Sequence, residues 1–151
     1  MKELAILLML AGSWKGSSVL YLPDVKPDSC VSTINAVAVL GERFVRMDYT
    51  WQYQGTPQEG SLLVGCDKAQ TKAVAGWIDS WHMGRGILSL KGIIDSTGTI
   101  KVSGTWPAPP GPDWGWRIEL TPTEKSLHLV MYNIKPDGEE FLAVDGKYEK
   151  Q

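Results

Sequence analysis

The stretch IDSWHMGRG, residues 78–86, holds the densest group of side chains that could do chemistry. An aspartate close to a histidine can act as a general acid or base, because an imidazole titrates near neutral pH. The same residues also suit a strand end and a hairpin loop, in which Asp79 and Ser80 satisfy loop amides and His82 meets water. The stretch therefore offers Asp79, His82 and Arg85 as candidate polar contacts for a ligand, with an enzyme as the alternative.

Other catalytic and metal-binding patterns are not found in the sequence. No Gly-x-Ser-x-Gly elbow is present to expose a nucleophilic serine. The two histidines, His82 and His128, lie far apart and lack a carboxylate at metal-ligand spacing. His128 alternates with Leu127 and Leu129, which predicts an outward-facing side chain. We therefore assign no catalytic residue, no metal site and no cofactor from the sequence.

The chain is rich in tryptophan, with 7 among 151 residues. Tryptophan and tyrosine combine a broad apolar face with a polar tip, which suits a cavity that binds and orients an organic molecule. Large side chains that simply fill a small barrel would account for at least half of them. The predicted cavity wall comprises Met47, Tyr49, Trp51, Trp77, Trp106, Trp116 and Met131, and its predicted occupant is a small apolar or amphipathic molecule.

Alternation of apolar and polar residues predicts the elements that position these side chains. In RFVRMDYTWQY, for example, Val45, Met47 and Tyr49 alternate with polar residues, as in a half-buried strand. Short turn signals separate about ten such runs, so neighbouring strands should pair antiparallel. The runs lie near 13–22, 30–40, 43–54, 61–67, 72–79, 86–94, 99–106, 114–121, 126–134 and 140–149. The signals lie at 40–43, 55–60, 67–72, 95–99, 121–125 and 136–140.

A single closed, up-and-down β-barrel is the predicted fold, because an open ten-stranded sheet would leave two exposed edges. In this barrel Asp79, His82, Arg85 and Trp114 would lie at the mouth. Trp114 lies near the end of the proline-rich stretch WPAPPGPDWGW, residues 106–116, which is either a rigid cover or a lid over a ligand. A barrel of ten strands usually encloses more volume than side chains fill, so a cavity is expected.

The apolar run LAILLMLA, residues 4–11, precedes the first predicted strand. Leu4, Leu7 and Leu8 have helical spacing, and Gly12 is a natural helix end, which predicts a short N-terminal helix. A secretion signal is the less favoured alternative, since Glu3 cancels the charge of Lys2.

Length, charge and cysteine content exclude several classes of protein. A chain of 151 residues suits a single domain spanning 1–151, and no apolar run approaches the roughly 20 residues of a membrane span. The net charge of −2, without a basic stripe, argues against nucleic acid as a partner. Cys30 and Cys66 are predicted to be free thiols. We expect a soluble, cytoplasmic protein and keep a homodimer as one option.

The sequence GSWKG, residues 12–16, resembles the start of lipocalin-like barrels, in which a tryptophan closes one end. Gly12 and Trp14 occupy these places, and the lipocalin pattern also has an arginine on the last strand that stacks on the tryptophan. In the last strand we consider only Lys147 for this role.

A resemblance over nearly the whole chain is carried by LAGSWKG (10–16), LGERFVRMDY (40–49), DGKYEK (145–150) and, above all, the block 55–92. These segments resemble a bacterial family of uncharacterised proteins in the calycin superfamily, catalogued as a domain of unknown function. The resemblance implies a lipocalin-like barrel and brings no activity and no catalytic residues.

Nitrobindin, a haem-binding relative in the same superfamily, shares the Gly-x-Trp-x-Gly opening through Gly12, Trp14 and Gly16. Ser18 replaces its final glycine. That family ligates iron through a histidine near the C-terminus, and residues 141–151 contain none. Haem is therefore not expected.

Overall fold

A computed structural model describes residues 2–67, 69 and 72–151. It confirms the predicted fold, a closed barrel of ten antiparallel strands with one short N-terminal helix. The helix is α1 (Lys2–Leu8), and the strands are β1 (Gly12–Leu20), β2 (Asp28–Val39), β3 (Phe44–Tyr53), β4 (Thr56–Cys66), β5 (Lys72–Asp79), β6 (Leu88–Ile94), β7 (Ile100–Trp106), β8 (Trp114–Pro122), β9 (Ser126–Ile134) and β10 (Glu140–Lys150).

Each strand pairs with its neighbours in chain order, and β1 closes the barrel by pairing with β10. The alternation seen in the sequence matches the burial of side chains. In β3, Val45, Met47 and Trp51 are buried, whereas Arg46 and Asp48 are exposed. The apolar faces of the strands therefore meet inside the barrel, and no sheet edge is left open between the strands described.

The turn expected at 55–60 is shorter, and β4 begins earlier, at Thr56. The reversal takes only Gln54 and Gly55, which both have positive φ (48° and 80°), as a two-residue hairpin requires. Pro57 pairs with β3, and the pairing of β4 with β5 starts only at Gly60. At Pro57, β4 is therefore paired on one side only, with β3. The missing N–H of the proline thus interrupts no hydrogen bonding between β4 and β5. The turn signal at 67–72 lies partly outside the described residues.

One end of the barrel is covered by α1 and by Trp14 beneath it. The Trp14 side chain is buried, and its Nε1–H donates to the carbonyl of Leu10 at 2.8 Å. Leu7 and Leu10 are fully buried in the same core. This covered end is the closed end of the barrel.

The cation expected beside Trp14 is Lys150, and the choice of Lys147 was wrong. Lys150 is the register partner of Trp14 across the β1–β10 pair, and its Nζ lies 5.1 Å from the centre of the indole. Its side chain crosses Gly12, whose φ of +136° and missing side chain leave room for it. Lys147 lies three residues before Lys150 in β10. It pairs with Ser17 instead of Trp14, and its side chain is exposed.

The half of the barrel next to the closed end is packed with side chains. Val45, Val64, Ile100, Val102, Ile118 and Leu120 are fully shielded from solvent. Cys30 and Cys66 are free and half-buried, as expected from the sequence. Within the described ranges, no helix has the length and apolarity that crossing a membrane would take.

Candidate functional site

The end opposite α1 holds a cavity of about 1080 Å³. The β1–β2, β5–β6 and β7–β8 loops and the start of β10 surround it. Its wall includes five of the seven tryptophans: Trp77, Trp81, Trp106, Trp114 and Trp116. We call this the open-end cavity. Its volume slightly exceeds the usual range of small-molecule sites.

Aromatic rings form the bottom of this cavity around His82. The His82 ring lies within 4.8 to 5.5 Å, between ring centres, of Trp51, Trp77, Trp81 and Trp116. Trp77 and Trp116 are stacked at 5.3 Å with an interplanar angle of 15°. We call these four tryptophans and His82 the aromatic floor.

Asp79, at the end of β5, ties the aromatic floor to the barrel wall. Its Oδ1 accepts the backbone N–H groups of Trp81 and His82 at 2.8 and 2.9 Å, and it contacts His82 Nδ1 at 3.1 Å. Its Oδ2 accepts the Tyr49 hydroxyl at 2.6 Å and Trp51 Nε1–H at 3.1 Å. The carboxylate therefore fixes both the turn after β5 and the side chains of β3.

Tyr49 reaches Asp79 by crossing a glycine. Gly60 on β4 is the register partner of both Tyr49 and Asp79. A Cβ on Gly60 would lie only 2.2 Å from the Tyr49 ring, so the ring occupies the space where a side chain would stand. The Tyr49 oxygen also accepts Trp77 Nε1–H at 2.8 Å. The missing side chain thus lets side chains of β3 and β5 share one hydrogen-bond network across β4.

This network sets the charge of the site. Burial by itself would raise the pKa of Asp79, but the hydrogen bond and charge of His82 and the hydrogen bond from Tyr49 outweigh it and lower the pKa to about 2. Burial, followed by the negative charge of Asp79, raises the pKa of Tyr49 well above its ordinary value. At neutral pH, Asp79 is therefore a carboxylate and Tyr49 a neutral hydroxyl that donates to it.

Two nitrogen atoms of the aromatic floor are buried without a hydrogen-bond partner among the described residues. They are His82 Nε2 and Trp116 Nε1. Both residues line the open-end cavity. Buried polar groups are nearly always hydrogen-bonded, so each orphan nitrogen calls for an explanation.

A second, much smaller cavity lies beneath the aromatic floor. Its volume is about 20 Å³, which is room for a single water molecule. Polar groups from Ser18, Ser32 and Tyr148 line it together with Asp79 and His82. It is therefore too small for an organic molecule.

Comparison with known proteins identifies the family to which this chain belongs. The family model described as "Protein of unknown function (DUF1579)" matches residues 1–150. The chain belongs to this family. A solved structure, that of Rv2717c from M. tuberculosis, superposes with a TM-score of 0.70 at 14% sequence identity and covers 100% of this chain and 98% of that one. At this identity the likeness of the DUF1579 chain to Rv2717c concerns the fold alone. Among the curated proteins, none gives a significant match.

The candidate residues of this DUF1579 protein lie at three levels of the barrel. Trp77, Trp106 and Trp116 line the open-end cavity, as do His82 and Trp114 of the predicted mouth. Tyr49, Trp51, Met131 and Asp79 line the small inner cavity. Met47 is packed in the core, and Arg85 is exposed on the β5–β6 loop; neither lines either cavity.

His82 differs from the loop interpretation offered by its sequence context. Its side chain is only 12% exposed, because the turn held by Asp79 folds the imidazole back onto the tryptophans. Asp79 does satisfy loop amides as that interpretation requires. His128, by contrast, is exposed as predicted and contacts Asp145.

The sequence alone does not identify Trp81 and Gly60 as parts of the candidate site. Trp81 follows the strand, so alternation gave it no inward position. The role of Gly60 depends on the β3–β4 register, which the short turn at Gln54 and Gly55 sets. Among the residues that the structure describes, no three His, Cys, Asp or Glu side chains are grouped to hold a metal ion.

Proposed function

We propose that this protein reversibly binds a small apolar or amphipathic molecule in the open-end cavity, without converting it chemically. The observation that carries the proposal is the cavity of about 1080 Å³ with five tryptophans in its wall. Burial of ligand surface contributes roughly 25 cal/mol per Å², from which the costs of association are subtracted. Aromatic walls supply this apolar surface, and their N–H groups orient the ligand.

The rim of the cavity also supports uptake of an apolar molecule. Ile87 is 78% exposed there, and Phe141 and Leu142 are exposed beside it. Single exposed apolar residues are common, but these three share one opening. We propose that they form the entrance.

Trp114 stands beside this entrance, with its ring 5.8 Å from that of Trp106. The loop between them, residues 107–113, contains four prolines. The stiffness of this loop suits a fixed cover and a lid equally well. We keep both roles for Trp114.

Binding is tested with the neutral fluorescent probe N-phenyl-1-naphthylamine. We expect saturable fluorescence enhancement in the wild-type protein, with the affinity reduced at least about tenfold in Ala143→Phe. Ala143 is buried and lines the cavity, so a phenyl group there takes up ligand space.

Ala38→Phe is the matched control, since Ala38 is exposed on β2 and lines neither cavity. It should bind the probe like the wild type. Absence of saturable binding by the wild type, or equal binding by a folded Ala143→Phe variant, would contradict the proposal.

An enzyme is the second candidate, and the Asp79–His82 contact at 3.1 Å favours it. A carboxylate that orients an imidazole, with the far nitrogen unpartnered, is the arrangement of a general base. Ser32, which lines the small inner cavity together with His82, is not a free nucleophile, because its Oγ is engaged with Tyr148 and with the carbonyl of Thr50. Turnover that is lost in His82→Gln while probe binding persists would favour the enzyme.

Other expectations from the sequence remain proposals. They are the kinship with calycins and lipocalins, a bacterial origin, a cytoplasmic location, a homodimer and the absence of a cofactor. A packed structural module is the remaining alternative, and failure to bind any probe would favour it.

A further inference from the structure

We propose that the molecule taken up carries a hydroxyl group on a flat apolar body, and that this hydroxyl binds between His82 and Trp116. The inference rests on the proposed function and names the ligand class for the same cavity. It starts from the two orphan nitrogens, His82 Nε2 and Trp116 Nε1.

The two nitrogens need opposite partners. When His82 Nδ1–H donates a hydrogen bond to the Asp79 carboxylate, the neutral form of the imidazole keeps a lone pair at Nε2 and accepts a hydrogen bond there. Trp116 Nε1–H can only donate. A hydroxyl group does both, because its proton reaches Nε2 while its oxygen accepts from the indole.

The His82 and Trp116 rings are close neighbours in the wall of the open-end cavity, which is the basis for a single shared partner. The centres of the His82 and Trp116 rings are 5.5 Å apart, at an angle of 61°. A hydroxyl at their junction would be shielded from water, as both nitrogens already are. A buried polar group left unpaired changes an equilibrium constant about tenfold or more, so the hydroxyl should dominate selectivity.

Shape and charge narrow the class further. Trp77 and Trp116 are stacked on each other and both line the cavity, so the wall favours a flat aromatic body over a bulky one. The negative charge of Asp79 lies directly behind His82 and repels an anionic head group. Lys135 at the rim is already paired with Glu139 at 3.1 Å. The site therefore favours a neutral hydroxyl over a carboxylate.

The test is a set of calorimetric titrations of the full chain at pH 7.5 with three probes. They are 2-naphthol, 2-methoxynaphthalene and 2-naphthoate, which share one ring system. We expect 2-naphthol to bind about tenfold tighter than the ether, although burial alone favours the more apolar ether. The carboxylate should bind most weakly.

Two variants locate the effect. Trp116→Phe and His82→Phe keep an aromatic ring and remove one polar partner, so each should weaken 2-naphthol while leaving the ether almost unchanged. Trp106→Phe is the matched control, because Trp106 lines the cavity but its Nε1 already donates to Asn133 at 3.2 Å. It should leave the ratio of the two affinities unchanged.

Two results overturn the inference while the proposed function stands. One is binding of the ether as tightly as 2-naphthol, which would mean that the hydroxyl group does not bind the two nitrogens. The other is tightest binding of 2-naphthoate. If none of the three probes binds, both the inference and the proposed function fail. The wild-type series decides these points even where a variant does not fold.

Discussion

Asp79→Asn should lower the free energy of unfolding by about 3 kcal/mol, although the two side chains have nearly the same shape. The carboxylate accepts five hydrogen bonds, from Tyr49, Trp51, Trp81 and, twice, His82. An amide replaces one acceptor oxygen with a donor, which then faces N–H groups that stay buried. Denaturant unfolding, monitored by tryptophan fluorescence, measures the loss.

Asp145→Asn is the matched control, since Asp145 also contacts a histidine, His128, at 2.7 Å. That pair is exposed at the surface, so its removal should cost at most about 1 kcal/mol. Equal losses in the two variants would contradict the central position given to Asp79.

The stability difference between the wild type and Asp79→Asn should depend on pH, because the pKa of Asp79 is lowered in the folded protein. A carboxyl whose pKa falls from 3.8 to about 2 on folding stabilises the protein above pH 3.8 and loses this contribution as the pH falls through about 2. The stability gap between the wild type and Asp79→Asn should therefore narrow on acidification. If the difference in stability stayed constant down to pH 2, the hydrogen-bond network would not be what lowers the pKa of Asp79.

Gly60→Ala should lower the free energy of unfolding by about 2 kcal/mol and displace Tyr49 from Asp79. The new methyl group would lie 2.2 Å from the Tyr49 ring, so the ring must move. Since the backbone at Gly60 has an ordinary φ, the cost comes from this collision and from the lost hydrogen bond. Denaturant unfolding again measures it.

Gly76→Ala on β5 is the matched control, because a Cβ there meets no atom within 4 Å. Its stability should lie within about 0.5 kcal/mol of the wild type or slightly above it. In a Tyr49→Ala background the cost of Gly60→Ala should almost vanish. A full cost in that background would mean that Gly60 is required for a reason other than Tyr49.

The barrel could be predicted because its determinants are local in the sequence. Alternation of apolar and polar residues, as in β3, predicts the strands, and the short turns between them predict antiparallel pairing and closure of the barrel. The spacing of leucines in α1 predicts the helix. The start of β4 was missed because Thr56 and Pro57 suggest a turn. The reversal at Gln54 and Gly55 shows only in backbone angles.

The site was only partly predictable because its contacts join distant strands. The sequence supplied Asp79, His82 and the tryptophans as separate candidates. It did not supply the bond from Tyr49 to Asp79, which depends on the register of β3, β4 and β5 and on the missing side chain of Gly60. The packing of the His82 ring against the tryptophans likewise depends on the turn after β5, which Asp79 stabilises through its hydrogen bonds. Alternation in a sequence identifies inward faces but not the height of a residue within a barrel, which is why Met47 and Trp116 seemed equivalent.

Binding of a flat apolar molecule at the open end of the barrel can be detected in a ¹H–¹⁵N spectrum of the indole N–H groups. The spectrum is assigned by single Trp→Phe variants and recorded with and without saturating 2-naphthol. We expect the signals of Trp106, Trp114 and Trp116 to move, because these residues line the open-end cavity, while that of Trp14 at the closed end stays in place. Unmoved signals throughout, or a shift of Trp14 alone, would contradict the account.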